Sequence, residues 1–190
     1  MHGENPYELA AIAELSRRLP RDASVLDLGC GTGVPTARAL TDQGHRVLGI
    51  DTSSKMLDLA RKQVPGAMFV KQDMRDATFP AGEFDAVSAY FSLMMLSRSD
   101  ISLVLGRVRT WLKPGGLLSL SFVEFDRDSV DVVFMGVRYA ASGYSMEGLE
   151  RLLGRHEFTV LETQLVQFQY QPGRPESQIF CLAQRLDRKS

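Results

Sequence analysis

Apolar residues recur along this chain in two alternating patterns, and these patterns predict its secondary structure. Between residues 7 and 19 the apolar residues follow the spacing of one helix face, and Pro20 ends the predicted helix. A short, continuous apolar run at 24–28 instead predicts a buried strand. The chain is therefore expected to begin with a helix followed by a strand.

The same alternation continues to residue 124. Further helices are predicted at 34–43, 55–63 and 100–112, and further strands at 46–51, 68–72, 85–90 and 117–124. The sequence Lys113-Pro-Gly-Gly116 predicts a turn before the last of these strands. Strands that alternate with helices form a parallel sheet with helices on both faces, so we expect an α/β fold.

The C-terminal part of the chain follows a different pattern. A helix at about 145–155 precedes two β-rich runs at 159–170 and 177–185. The turn-type sequence Gln171-Pro-Gly-Arg-Pro175 joins the two runs. They predict a terminal hairpin, which adds antiparallel strands to the parallel sheet.

A glycine-rich turn follows the first predicted strand, with Gly29, Gly31 and Gly33 at every second position. Glycine lets the backbone pass close to a ligand because no Cβ stands in the way. A dinucleotide-binding turn, G-x-G-x-x-G, requires glycine at the position of Val34, so the spacing argues against an NAD-linked oxidoreductase. Asp27 precedes the turn, where it can meet a cationic group. The competing interpretation is a turn that only permits tight strand–helix packing.

With Asp51 at the end of the second strand, the run Val25-Leu-Asp-Leu-Gly-Cys-Gly-Thr-Gly33 resembles the first motif of class I S-adenosylmethionine-dependent methyltransferases. The resemblance covers nearly the whole chain. It implies a doubly wound, mostly parallel seven-stranded sheet with a C-terminal antiparallel hairpin, in a single domain over residues 1–190. It also implies S-adenosylmethionine as cofactor and S-adenosylhomocysteine as product.

The resemblance assigns the cofactor contacts to the ends of four strands. The glycine turn with Asp27 receives the methionine half, Asp51 accepts from the ribose hydroxyls, and Asp73 accepts from the adenine amine while the Met74 amide serves the ring. Met56 is placed against the adenine face, with ordinary helix-to-sheet packing as an equal alternative. The full predicted set is Asp27, Gly29, Cys30, Gly31, Gly33, Asp51, Thr52, Met56, Asp73, Met74 and Tyr90.

Aromatic and methionine residues near the strand ends are candidate walls of an acceptor chamber. Several belong to the segment 125–144, a short insert where the family carries substrate-recognition elements. The candidates are Tyr7, Phe91, Met94, Met95, Phe134, Tyr139 and Tyr144. Such side chains suit an apolar or aromatic acceptor, and core packing is the alternative for each. No residue is identified as a general base, and His45 and His156 are interpreted as structural.

Composition narrows the choice of partners. The net charge of −1 lacks the basic excess of a nucleic-acid binder. No apolar run has the length of a membrane span, and the N-terminus lacks the pattern of a signal peptide. Cys30 and Cys181 are expected to be reduced thiols of a cytoplasmic protein, and no metal site is predicted. We therefore expect a small-molecule acceptor and a monomer or homodimer, with no nucleic-acid or membrane partner.

The leading hypothesis is methyl transfer to an oxygen, or to a nitrogen, of an apolar or aromatic metabolite. Such transfer is an in-line displacement that depends on positioning and desolvation. The alternative keeps the fold and the cofactor without methyl transfer, as in a cyclase, an isomerase or a binding protein.

Overall fold

The computed structural model describes the backbone of residues 5–134, 137–171 and 174–187, and their side chains except at 134, 137, 170, 171 and 174. The helices are α1 (Pro6–Arg18), α2 (Thr36–Asp42), α3 (Ser54–Gln63), α4 (Arg98–Trp111) and α5 (Met146–Arg155). The first strands are β1 (Ser24–Leu28), β2 (Arg46–Asp51), β3 (Met68–Lys71), β4 (Phe84–Tyr90) and β5 (Leu112–Val123). They are followed by β6 (Val130–Phe134), β7 (Val137–Ala141), β8 (Phe158–Gln171) and β9 (Arg174–Arg185).

The main sheet of the described chain has seven strands in the order β3-β2-β1-β4-β5-β9-β8. The pairs among β1 to β5 are parallel, whereas β9 runs antiparallel to both β5 and β8. The predicted fold class, with its terminal antiparallel hairpin, is therefore confirmed. The chain builds the sheet outward from β1 in one direction and then returns to add β4 on the other side of β1. The strand order thus reverses between β1 and β4.

Helices cover both faces of the sheet, which explains the continuous apolar runs of the central strands. Val25 packs with Ile12 of α1 and Leu57 of α3 on one face. Leu26, the next residue of β1, packs with Leu105 of α4 on the other face. Because successive side chains of a strand point to opposite faces, a strand covered on both sides needs apolar residues at consecutive positions.

Three local features differ from the sequence prediction. The predicted turn at 113–116 is a bulge inside β5, because Leu112 pairs with Phe84 while Leu117 pairs with Ala86. Helix α2 begins at Thr36, after Pro35 at the N-cap, and not at residue 34. Both strands of the terminal hairpin are longer than predicted.

The insert at 125–144 contains a second, two-stranded sheet formed by β6 and β7. The Ser142 amide donates to the Met94 carbonyl at 2.8 Å, which ties the end of this hairpin to the segment after β4. The insert therefore stands beside the carboxyl end of β4.

In the part of the chain that the structure describes, no helix combines the length and apolarity needed to cross a membrane.

Candidate active site

The glycine turn after β1 is held against the end of β2 by backbone hydrogen bonds. The Gly29 and Cys30 amides donate to the Ile50 carbonyl at 2.8 and 3.0 Å. The Gly31 amide donates to Asp51 Oδ2 at 3.0 Å. Gly29 and Gly31 have φ angles of +69° and +53°, a region that glycine enters without a steric penalty. The turn thus has one defined shape at the point where the strand order reverses.

The three alternating glycines differ in what surrounds them. A Cβ at Gly31 would meet nothing within 4 Å, so Gly31 borders open space. A Cβ at Gly33 would lie 3.0 Å from the Phe69 ring and 3.2 Å from Val64, so this glycine permits strand–helix packing. A Cβ at Gly29 would lie 2.5 Å from Ser92 Cβ. Gly33 therefore fits the packing interpretation, whereas Gly31 leaves space through which a ligand can approach the backbone.

A cleft of two adjoining cavities follows the strand ends, and Gly29 and Tyr90 line both cavities. The smaller cavity, of about 310 Å³, lies along the glycine turn; its other lining residues include Glu8, Asp27, Cys30, Gly31, Thr36 and Met56. The larger cavity, of about 450 Å³, has further lining residues that include Asp51, Thr52, Asp73, Met74, Arg75, Phe91, Ser92 and Met95. The structure thus gathers every predicted cofactor residue except Gly33 in one cleft, with Met56 in a different cavity from Asp73 and Met74.

Asp27 is a buried carboxyl at the end of β1, only 3% exposed. The Ser88 hydroxyl donates to its Oδ1 at 2.7 Å. Burial raises the pKa of Asp27 to about 7, with a smaller contribution from the charge of Asp51. A buried carboxylate with one hydrogen bond is costly unless a cation approaches it, so Asp27 favours a positively charged ligand.

Glu8 of α1 is a second carboxyl in the smaller cavity, and sequence reasoning missed it. Burial, together with the nearby charge of Asp27, raises the pKa of Glu8 to about 7. The sequence does contain an indication of this position, because Glu8 precedes the fully buried Ile12 and Leu15 by four and seven residues. This spacing places an acid on the apolar face of the helix, where burial of an unpaired carboxylate costs free energy and therefore indicates a functional role.

Asp51, at the end of β2, accepts two backbone hydrogen bonds. Its Oδ1 accepts from the Ser53 amide at 2.8 Å, and its Oδ2 accepts from the Gly31 amide at 3.0 Å. A carboxylate has about four acceptor positions, so two remain for the hydroxyl groups of a ligand. Asp51 therefore shapes the glycine turn and still presents acceptors to the cleft.

Asp73 is held by Arg75, a second cleft residue that sequence reasoning missed. The guanidinium group donates through Nη2 to Oδ2 at 2.6 Å and through Nε to Oδ1 at 3.0 Å. These bonds hold the pKa of Asp73 below its ordinary value, so this carboxylate is charged at neutral pH. The Arg75 amide also donates to Oδ1 at 2.9 Å, so Arg75 fixes the Asp73 side chain through both oxygens.

The end of β4 contributes Tyr90, Phe91 and Ser92 to the cleft. The Tyr90 hydroxyl and Ser119 Oγ are 2.6 Å apart. Phe91 has a φ of +52°, and its amide donates to Ser121 Oγ at 3.0 Å. Ser92 Oγ is buried and has no hydrogen-bond partner among the described residues.

The structure brings two of the seven acceptor-wall candidates into the lining of the cleft, Phe91 and Met95. The Tyr7 ring instead lies edge-on to Phe168, with centroids 6.4 Å apart, and Tyr139 packs against the core. Two further candidates belong to the core because apolar neighbours cover them: Met94 is 7% exposed and Tyr144 is 6% exposed. The side chain of Phe134 lies outside the described residues.

The histidines of the described chain lie outside the cleft. His45 Nε2 is 2.7 Å from Ser16 Oγ, and His156 Nε2 is 2.9 Å from Ser102 Oγ. Burial lowers the pKa of both rings, so both are neutral at pH 7. Within the described residues, no group of three or more His, Cys, Asp or Glu side chains is arranged to hold a metal ion.

Comparisons with known proteins agree with this geometry. A methyltransferase domain family matches residues 25–116. An uncharacterized methyltransferase of Synechocystis is 33% identical over 149 residues, which cover 74% of this chain and 69% of that protein. The trans-aconitate 2-methyltransferase of Paracidovorax citrulli is 39% identical over 115 residues. That match covers 58% of this chain and 44% of the enzyme, so the chain spans less than half of this second relative.

Among solved structures, the 1,6-didemethyltoxoflavin-N1-methyltransferase of Burkholderia thailandensis has a similar fold. Its structure contains 1,6-didemethyltoxoflavin and S-adenosylhomocysteine. It matches with a TM-score of 0.76 over 94% of this chain and 77% of that chain, at 24% sequence identity. At this identity the likeness demonstrates a shared fold.

Proposed function

Since this chain belongs to the class I S-adenosylmethionine-dependent methyltransferases, we propose that it methylates an oxygen or a nitrogen of a small apolar or aromatic metabolite. The observation that carries the proposal is the acidic, open end of the cleft beside Gly31. There Asp27 and Glu8 line a cavity whose described lining contains no lysine, arginine or histidine. Such a cavity favours a cationic ligand of the size of an amino-acid tail.

The residues present fit S-adenosylmethionine along the whole cleft. The smaller cavity offers carboxyl groups to the ammonium group of the methionine part, and the open space at Gly31 lets the ligand approach the backbone. Asp51 has acceptor positions for the ribose hydroxyls. In the larger cavity, the charged Asp73 is assigned to the adenine amine. These assignments follow the order in which the strand ends are arranged along the cleft.

The acceptor is proposed to bind beside Phe91 and Met95. Met95 is 50% exposed and Phe91 is half-buried, so both offer apolar surface at the mouth of the larger cavity. Thr52 and Gln72 line the same cavity and offer hydrogen bonds to orient a polar group. An apolar wall with a few polar contacts suits a small aromatic or apolar molecule.

Bound S-adenosylmethionine supplies an activated methyl group, because the sulfur that leaves is a neutral thioether. The chain's own residues then have to bind the acceptor, orient its reacting atom in line with the methyl group and exclude water. An acceptor that presents a free lone pair needs no general base. The acceptors in the names of the Paracidovorax and Burkholderia enzymes are small molecules, which supports a small-molecule acceptor.

Incubation with S-adenosylmethionine labelled in its methyl group tests the proposal. A panel of small aromatic, apolar and carboxylic acceptors is supplied, with RNA and protein as comparison substrates. We expect label in a small molecule, attached through oxygen or nitrogen. Label in RNA or protein contradicts the proposed acceptor class, and a converted small molecule without label favours the cyclase or isomerase alternative.

A further inference from the structure

The N-terminal helix is attached so that its first turn faces the glycine turn. Asn5 caps α1, because its Oδ1 accepts from the Tyr7 amide at 3.0 Å. Its Nδ2 donates to Gln178 Oε1 on β9 at 2.7 Å. Asn5 is 4% exposed and Gln178 is fully buried, so this bond fixes the start of the helix to the sheet. Glu8, in the first turn, is thereby held over the smaller cavity.

The charged and titratable groups around Glu8 come from several elements. Asp27 of β1 and Tyr90 of β4 line the cavity with it, and so does Cys30, whose thiol pKa is raised by burial. Asp51 of β2 acts on both Asp27 and Cys30. One cation, Arg61, also acts on this group: its charge lowers the pKa of the Cys30 thiol and affects neither Glu8 nor Asp27. Two carboxyl groups therefore line one cavity, and no cation of its described lining compensates them.

We propose that the Glu8 and Asp27 carboxyl groups hold protons in the free protein and that one proton is released when the ammonium group of the cofactor binds beside them. The inference rests on the proposed function and assigns Glu8 a binding role in the same site. Two carboxyl groups that line one cavity resist double ionisation, since burial and the charge of the neighbouring carboxylate both oppose the second charge. A bound cation removes that resistance, so the pair ionises and one proton passes to solvent.

This coupling makes cofactor affinity depend on pH. Burial raises the pKa of both carboxyl groups to about 7, so the pair holds a proton below that pH. Ligand binding then has to expel the proton, which weakens affinity as the pH falls. Release of one proton corresponds to about a tenfold loss of affinity per pH unit. Above about pH 8 the pair is already ionised, and the dependence levels off.

Calorimetric titration with S-adenosylhomocysteine, which carries the same ammonium group, tests the inference. At pH 6.5 the measured heat is compared in phosphate and in imidazole, two buffers with very different ionisation enthalpies. For the wild type, the binding enthalpies measured in the two buffers should differ by about the difference between the ionisation enthalpies of the buffers, which corresponds to the release of one proton. The Glu8→Gln variant should release fewer protons, show a flatter pH dependence and bind more weakly at pH 8.

Glu14→Gln is the matched control, because Glu14 lies on the same helix outside the cavity lining and pairs with Arg17 and Arg18. It should release as many protons as the wild type. If Glu8→Gln does not fold, the wild-type comparison of the two buffers still decides. Wild-type binding without proton release overturns the inference and leaves the proposed function intact. A Glu8→Gln variant with unchanged affinity and proton release also overturns it. No binding by the folded wild type contradicts the proposed function itself.

Discussion

At the scale of single residues, Asp51 has a structural role and a binding role in the cleft. It accepts from the Gly31 and Ser53 amides, and it presents its remaining acceptor positions to the ligand. The two roles are linked, because the carboxylate that holds the glycine turn in shape also faces the ligand. The loss of its side chain therefore removes ligand contacts and loosens the turn.

Substitution of Asp51 tests this assignment. Asp51→Ala should weaken S-adenosylhomocysteine binding by about 1–3 kcal/mol, since hydrogen bonds to a charged acceptor are lost. That range corresponds to roughly a 5- to 150-fold increase in the dissociation constant, measurable by calorimetry. Asp58→Ala is the control, because Asp58 is exposed on α3 and pairs with Arg61. Equal affinity of the Asp51 and Asp58 variants would contradict the placement.

The glycine turn offers a second test with a matched pair. Gly31 and Gly44 both have positive φ, +53° and +87°, and a Cβ at either position meets nothing within 4 Å. Gly31→Ala and Gly44→Ala should therefore lose similar stability, about 1–2 kcal/mol each, from the left-handed backbone. Only Gly31→Ala should also weaken S-adenosylhomocysteine binding, by about 1–3 kcal/mol, since its methyl group enters the ligand's space. Equal affinities for the ligand would show that the space beside Gly31 is not used.

At the scale of elements, the first helix is attached at both ends. Asn5 joins its start to Gln178 of β9, and Ser16 near its end lies 2.7 Å from His45 Nε2. His45 is 7% exposed, and its Nδ1 finds no partner in the described part of the chain. A charge on this ring is therefore poorly compensated, and the attachment depends on a neutral His45.

The contribution of His45 to the free energy of unfolding should therefore change with pH. Burial lowers the pKa of His45 in the folded protein, although Asp22 and Asp85 act in the opposite direction. The unfolded chain then binds the proton more tightly, so the contribution of His45 is present above its ordinary pKa of about 6.5 and is lost as the pH falls below it.

The free energy of unfolding of wild type and His45→Gln should therefore differ most at pH 8 and converge towards pH 5. Chemical denaturation at each pH measures the difference. The difference is the informative quantity, because Glu8 and Asp27, with raised pKa values, gain stability over the same fall in pH. A constant difference between pH 8 and pH 5 would contradict the role given to His45.

The elements that the sequence predicts well are those with a strong local pattern. The five parallel strands, the helices between them and the terminal hairpin follow from apolar spacing and turn residues. The bulge within β5 was predicted as a turn, because four turn-type residues look alike in either setting. The hairpin of β6 and β7 was not predicted, since no distinctive turn sequence marks the connection between its strands.

The site residues divide along the same line. Asp27, Gly31, Asp51 and Asp73 occupy fixed distances from strand ends, so their common cleft follows from topology. Arg75 and Ser92 carry no local signal, because only the folded chain brings them to the cleft. The acceptor-wall candidates were the least predictable group, since the same aromatic residues serve equally in a core, as Tyr144 does.

At the scale of the whole molecule, the sheet topology decides where the ligand binds. β1 lies between β2 and β4, and the chain leaves β1 in one direction and returns on the other side. The loops after β1 and β4 therefore diverge and leave a crevice at the carboxyl end of the sheet. Asp27 and Glu8 line one end of this crevice, and the other end combines polar residues with the apolar side chains of Phe91 and Met95. One elongated ligand and an acceptor can be accommodated side by side.

A crystal structure with S-adenosylhomocysteine tests the central claim most directly. The account predicts the ammonium group within hydrogen-bond distance of Asp27, about 2.7–2.9 Å, with the backbone of Gly31 against the amino-acid tail. The ribose hydroxyls should contact Asp51, and the adenine amine should contact Asp73. Ligand density outside this cleft, or with the adenine at the glycine turn, would contradict the account.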